Sequence, residues 1–232
     1  MIVSAWCWTP GDAVRQVARL PGAGASGGAT AATTNRFTEA AMRALYRRSV
    51  GAGFGTLLAL GALGHVGPVG AVTPAWTAYV ANAGSNSVTP IATASNTAGT
   101  PITTGGNGPA GIAITPDGTT AYVANFGSNT VTPIATVSNT AGAPIPVGSN
   151  PDGIAITPDG STIYVANNGS TTVTPIATAS NTAGTPITVG SAPFGIAITP
   201  DGTTAYVANT GSGTVTPIAI ASNTAGTPIP VG

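Results

Sequence analysis

From about residue 72 to the end, apolar and polar residues alternate in short runs and never hold the spacing of a helix face. One unit of this pattern reads "GIAIT" (111–115), "TAYVAN" (120–125), "TVTPIAT" (130–136) and "APIPVG" (143–148). Runs of that length, rich in Ile, Val, Thr and Tyr and bounded by Gly, Pro and Asn, predict four β-strands. The unit then repeats, with Tyr79, Tyr122, Tyr164 and Tyr206 at intervals of 43, 42 and 42 residues. A fixed period of this size predicts stacked copies of one supersecondary unit rather than one irregular domain.

The linkers say how the strands are joined. Thr-Pro-Asp-Gly at 115–118, 157–160 and 199–202 suits a tight turn, in which Pro presets φ and Gly accepts a positive one. Asp117, Asp159 and Asp201 are therefore read as turn formers. In the Asn-x-Gly-Ser segments, Asn82, Asn125, Asn167 and Asn209 are expected to bond the backbone amides ahead, with Gly as the left-handed residue. Ser-Asn-Thr-Ala-Gly makes a longer polar hairpin loop. Four strands joined by hairpins form an antiparallel meander, which is the blade of a β-propeller. The predicted fold is all-β, a β-propeller of about four four-stranded antiparallel blades of 42–43 residues, at 72–110, 111–152, 153–194 and 195–232.

Prolines order the strands within a blade. Pro144 and Pro146 are two apart, so their missing N–H groups face one side, and the fourth run is expected at the outer edge. "G-I-A-I" alternates small residues with isoleucine, as an inner strand crowded at the axis requires. Pro90, Pro133, Pro175 and Pro217 interrupt the third run, where a bulge or a gap in the ladder is expected.

"ITPDGTTAYVANFGSNTVTPIAT" and its copies resemble the YVTN family of β-propeller repeats, with Tyr-Val-Ala-Asn where the family name has Tyr-Val-Thr-Asn. The resemblance covers 72–232 and implies an exported or cell-surface propeller, often bacterial or archaeal, similar to the seven-bladed kind. Two features depart from it: Ala135 and Ala177 stand where the family commonly has Asp, and the blades are few. Four units leave three arrangements open: a four-bladed ring, a homodimer closing an eight-bladed ring, or a truncated piece of a longer array. Some relatives of this repeat class are lactonases or quinone enzymes. The charged residues of such sites are absent here, so the resemblance is expected to carry the fold alone.

Ahead of the repeats, residues 42–71 run from basic (Arg43, Arg47, Arg48) through an apolar Gly/Ala/Leu stretch to small residues at 69–71, the layout of a secretory signal peptide. The apolar stretch is short for a membrane span, although a retained N-terminal anchor is the second reading. Residues 1–41 fit neither and are read as a non-structural or mis-assigned leader before a start at Met42. The protein is thus expected to be secreted or at the cell surface, with no membrane contact beyond the leader.

Charge narrows the function. All six basic residues precede position 49 and the chain has no lysine, so the repeats cannot neutralise phosphates and nucleic acid is excluded as a partner. Cys7 is the one cysteine and His65 the one histidine, both in the leader. The repeats hold no Glu, His, Lys, Arg or Cys, which removes a histidine base, a Ser/His/Asp set and a Schiff-base lysine. No catalytic, cofactor or metal residue is assigned, and the chain is expected not to be an enzyme. Asp117, Asp159 and Asp201 recur once per blade, too sparse for the six to eight oxygens calcium takes.

The copies differ most usefully after each motif Asn (Ala83, Phe126, Asn168, Thr210) and after each inter-blade Pro (Ala110, Asp152, Phe194). Exposed aromatics on loops of a rigid scaffold point to binding, so Phe126, Phe194 and then Asp152 are the candidate contacts. The expected role is a structural or interaction scaffold for an unidentified protein or surface glycan, with a small-molecule or glycan-binding propeller as the alternative. N-terminal sequencing of the exported protein is expected to read from Val72; a mature chain that still begins ahead of residue 58 would overturn cleavage.

Overall fold

Alternating side chains separated by tight polar turns fold as antiparallel ribbons, and the repeated ribbon here becomes a repeated sheet. The structure, a computed structural model, describes residues 76–231 and five strand segments ahead of them. Four of these make two short antiparallel pairings: β1 (Ile2–Val3) with β4 (Ala18–Arg19), and β2 (Trp6–Thr9) with β3 (Asp12–Arg15). They lie in the stretch read from sequence as non-structural, where Pro10-Gly11 is a turn signal between the paired residues Thr9 and Asp12. Met42, His65 and the cleavage position after Ala71 lie outside the described residues.

The second blade shows the pattern. Its strands are β10 (Pro109–Ile114), β11 (Thr120–Asn125), β12 (Thr130–Ala135) and an outer strand in two pieces, β13 (Thr140–Ala141) and β14 (Ile145–Pro146). The order is β10-β11-β12, with both outer pieces on β12. Prolines account for the break. Pro133 pairs in register with Tyr122 on the inner side, but on the outer side the ladder stops between Val131–Ile145 and Ile134–Ala141. The expected gap in the third run is therefore a gap in its outer ladder, and the Pro144/Pro146 run lies at the edge.

The third and fourth blades copy this arrangement. The third has β15 (Pro151–Ile156), β16 (Thr162–Asn167), β17 (Thr172–Ala177), β18 (Thr182–Ala183) and β19 (Ile187–Thr188). The fourth has β20 (Pro193–Ile198), β21 (Thr204–Asn209), β22 (Thr214–Ala219), β23 (Thr224–Ala225) and β24 (Ile229–Pro230).

The first blade departs from expectation. Its later strands are β6 (Trp76–Asn82), β7 (Ser87–Ala92), β8 (Thr97–Ala98) and β9 (Ile102–Thr103), but its inner strand is β5 (Leu58–Ala62), with Leu58 opposite Val80 and Ala62 opposite Trp76. Sequence reading gave that place to the stretch around Pro74. Because β6 already begins at Trp76, those residues are taken up by the connection, and "LALGA" supplies a proline-free alternating strand instead. The same five residues belong to the segment read as an export signal, so pairing with β6 and removal exclude each other in one molecule.

Inner strands pack side by side, and glycine makes this feasible. A Cβ on Gly111 would lie 2.2 Å from the Asp152 carbonyl oxygen, and one on Gly153 would lie 2.0 Å from that of Phe194. Register shifts between Pro109 and Ile112, and between Pro151 and Ile154, accompany this approach.

The core lies between blades. Tyr79, Val88 and Ile102 of the first blade pack on Ile112, Val123 and Ile134 of the second, and Tyr122, Val131 and Ile145 pack on Ile154, Val165 and Ile176. Each tyrosine crosses to the next blade. Tyr79 donates to Asn139 Oδ1 at 2.8 Å and to the Thr136 carbonyl at 3.3 Å. Tyr122 donates to Asn181 Oδ1 at 2.7 Å, and Tyr164 to Asn223 Oδ1 at 2.6 Å. All three asparagines are left-handed, with φ of 52–53°, a conformation Asn tolerates better than other side chains. A buried tyrosine hydroxyl needs such a partner, and removing it also strands the acceptor. Tyr122→Phe is expected to destabilise the protein by about 1–2 kcal/mol in urea unfolding, whereas Val137→Thr, at a position 80% exposed, stays within about 0.5 kcal/mol. Equal effects would refute the junction's role.

Candidate functional site

Each blade has two ends with different chemistry. At one end, the turn between β10 and β11 is closed by Asp117, whose Oδ1 accepts from Thr115 Oγ1 at 2.5 Å and from the Thr119 amide and hydroxyl at 3.0 Å each. Asp159 does the same with Thr157 and Ser161, and Asp201 with Thr199 and Thr203. Gly118, Gly160 and Gly202 follow at φ of 71–75°, the left-handed region. The threonine hydroxyl bonds, ahead of the amide bonds, hold these three carboxyls below the ordinary carboxylate range. Among the described residues, no three acidic, His or Cys side chains gather to hold a metal.

At the other end, the motif asparagines do something sequence reading did not assign. Asn125, Asn167 and Asn209 are buried, and their side chains point away from the turn amides. Asn125 Nδ2 donates to Thr130 Oγ1 at 3.1 Å and Thr132 Oγ1 at 2.9 Å. The Thr132 hydroxyl in turn donates to the Thr104 carbonyl at 2.7 Å, which leaves its lone pair for Asn125 and fixes the amide's orientation. Asn167 and Asn209 repeat the two threonine contacts, and Asn82 bonds Ser87 and Thr89. The Oδ1 atoms of Asn125, Asn167 and Asn209 are buried without a partner. The turn itself rests on main chain: the Asn125 carbonyl accepts from the amides of Ser128 and Asn129. Its left-handed residue is Asn129 (φ 59°), with Asn86 and Gly213 at the matching places, and not the motif Gly. A β-type pattern of polar residues could not show this, because the asparagine's partners stand five and seven residues on, across the hairpin.

Phe126, Asp152 and Phe194 come from three consecutive blades and meet at this same end. Phe126 opens the turn after β11 and is 37% exposed. Its amide donates to the Gly108 carbonyl, and its own carbonyl accepts from Asn150 Nδ2 at 3.2 Å, two residues before Asp152. Asp152 lies near the start of β15 and Phe194 near the start of β20, where Gly153 abuts the Phe194 carbonyl. Asp152 differs from the turn aspartates. No hydroxyl or amide among the described residues bonds its carboxyl, and burial raises it from 3.8 to about 6.

With this geometry in view, comparison with known proteins adds the class. A family model described as "Lactonase, 7-bladed beta-propeller" matches residues 73–186. Among solved structures, the chain is similar to the hydrazine synthase of Kuenenia stuttgartiensis, with 29% identity and a TM-score of 0.63 over 66% of this chain and 45% of that one. It is also similar to a functionally unknown protein from Desulfotomaculum acetoxidans DSM 771, with 23% identity and a TM-score of 0.56 over 66% of this chain and 53% of that one. No curated protein matches significantly. The chain spans about half the length of these solved structures. It is an all-β protein of propeller blades, four of them in the described array. Beyond the class, one expectation is overturned: a lactonase family and a hydrazine synthase both point toward enzymatic propellers, against the reading of a non-enzyme. That reading rested on missing residue types, and a buried carboxyl near neutrality is a proton-transfer group that needs none of them.

The shift of Asp152 sets a pH dependence. Its folded carboxyl binds a proton more tightly than its unfolded one, so its contribution is most favourable below about pH 4 and is lost as pH rises through about 6. The turn aspartates are shifted the other way and lose stability only at lower pH. Asp152→Asn is expected to raise stability at pH 7 by about 1–3 kcal/mol and to flatten the profile between pH 4 and 7. Superimposable wild-type and variant profiles in urea would contradict the assignment.

Proposed function

We propose that this chain is an exported propeller module whose working surface is the blade end carrying Phe126, Asp152 and Phe194, and that it binds a neutral ring-bearing molecule, a sugar or a lactone. The observation that carries the reading is Asp152, a largely buried carboxyl that no bond within the blade uses. Aromatic faces on either side suit the C–H surface of a ring, and the carboxyl suits its hydroxyl or carbonyl groups. The repeats contain no cation, so an anionic ligand has nothing to pair with. The basic-apolar-small order of 42–71 supports export, and the Tyr-Val-Ala-Asn copies support a place among YVTN-type repeats.

A second reading is favoured by the lactonase match at 73–186. An ionised Asp152 would take a proton from water as that water adds to a lactone carbonyl; the ring C–O bond then breaks and the leaving oxygen regains a proton, giving the hydroxy acid. Titration with a series of neutral oligosaccharides and aliphatic and aromatic lactones, read by calorimetry and by acid release, tests both. Phe126→Ala and Phe194→Ala are each expected to weaken binding at least about tenfold. Acid release that falls with Asp152→Asn, while binding survives, selects the hydrolytic reading. Binding untouched by both Phe variants would sink the site.

A further inference from the structure

We propose that a second copy of this chain covers the exposed side of the fourth blade, head to tail, through a junction between Tyr206 and Asn96. The first three blades each bury their tyrosine to 1–2% exposure against the next blade. Tyr206 sits in the same register, opposite Pro217 as Tyr164 is opposite Pro175, yet it is 43% exposed. Ile229 is 48% exposed, where its equivalents Ile145 and Ile187 are 6%. A groove of about 390 Å³ runs beside Tyr206, lined by Thr204, Pro217, Ala219, Ser222, Thr224 and Ala225.

The matching half stands on the first blade. Asn96 follows β7 as Asn139 follows β12, and it has the same left-handed φ of 53°. It is exposed, and among the described residues no tyrosine hydroxyl reaches it. Thr93 bonds the Trp76 carbonyl as Thr136 bonds that of Thr119, so the acceptor turn is already shaped. Val80 and Ile91 of the first blade correspond to Val123 and Ile134, the residues that receive Tyr79, Val88 and Ile102 at the first junction. One chain therefore carries an unused donor face at one end of its array and the acceptor face that fits it at the other. No charged side chain stands on either face to repel a copy. Two chains joined this way make two equivalent junctions and eight blades, at the upper end of the range typical of propellers.

The test uses the full chain, with light scattering after size exclusion over a hundredfold concentration range. The expected result is twice the mass of one chain, reverting to one chain in Tyr206→Glu. Tyr206→Phe and Asn96→Gly, which keeps the left-handed backbone, are each expected to weaken association about three- to tenfold. If the two residues meet across chains, the double variant is no weaker than the worse single one. Far-UV circular dichroism and the melting transition of the separated chains stay unchanged, since neither residue has a tyrosine–asparagine partner within its own chain. A single-chain mass at every concentration overturns the proposal and leaves the face to a different protein. So does a dimer that Tyr206→Glu leaves intact, or strictly additive losses in the double variant.

Discussion

A tyrosine hydroxyl buried between two blades, bonded to a left-handed asparagine on the next, is the contact on which the rest of the array depends. Nothing within one blade makes it stable: its sheet is thin, its outer strand is broken, and its apolar side chains face sideways. Burial of Tyr79, Tyr122 and Tyr164 supplies the apolar area, and the hydroxyl then demands an acceptor that only the next copy offers. The asparagine must turn left-handed to present it, which a β-branched residue would resist. Stability of such an array grows by junctions rather than by blades. The repeat is copied so closely because each copy must serve as both donor and acceptor.

The near absence of charge follows from the same arrangement. A blade packed on both faces has little room for solvated side chains, so polar work falls to hydroxyls and amides. Asn125 with its two threonines and Asp117 with Thr115 and Thr119 are closed local sets, each placed by a hairpin register. The two sets differ in cost. The turn aspartates are exposed and fully used. The asparagines are buried with one oxygen unpaired, a cost of roughly 1–3 kcal/mol each that only the surrounding junctions can offset. Asp152 fits neither set. It stands where a neighbouring copy has alanine and another phenylalanine, and burial without donors is what lifts its carboxyl.

Much of the fold was legible because proline and glycine act locally. The Pro144/Pro146 pair placed the outer strand, Pro133 marked the ladder gap, and Thr-Pro-Asp-Gly marked the first hairpin. What stayed hidden acts over distance. Tyr79 and Asn139 are 60 residues apart, and no spacing rule within a repeat connects them. The motif asparagine looked like a turn residue because it borders one, yet its side chain serves the strand beyond. The inner strand of the first blade was hidden for another reason: "LALGA" reads equally as an export signal's apolar run and as a strand. Of the candidate site, the three residues were visible as places where copies disagree. That Asn150 ties Phe126 to the segment leading into Asp152, and that Gly153 seats against Phe194, required the blades to be stacked.

Composition misled at one step, and the reason is general. A missing histidine, lysine or cysteine removes particular mechanisms, not reactivity. Proton transfer near neutral pH needs a group whose two forms are close in free energy there, and burial can bring a carboxyl to that point without any partner. In a chain so poor in charge the effect is larger, because no cation stands nearby to hold the carboxylate ionised. The feature that seemed to exclude chemistry is therefore what gives Asp152 a titration in the useful range. Repetition supplies the rigid surround, and a single departure from it, at the inner strand of one blade, supplies the reactive group.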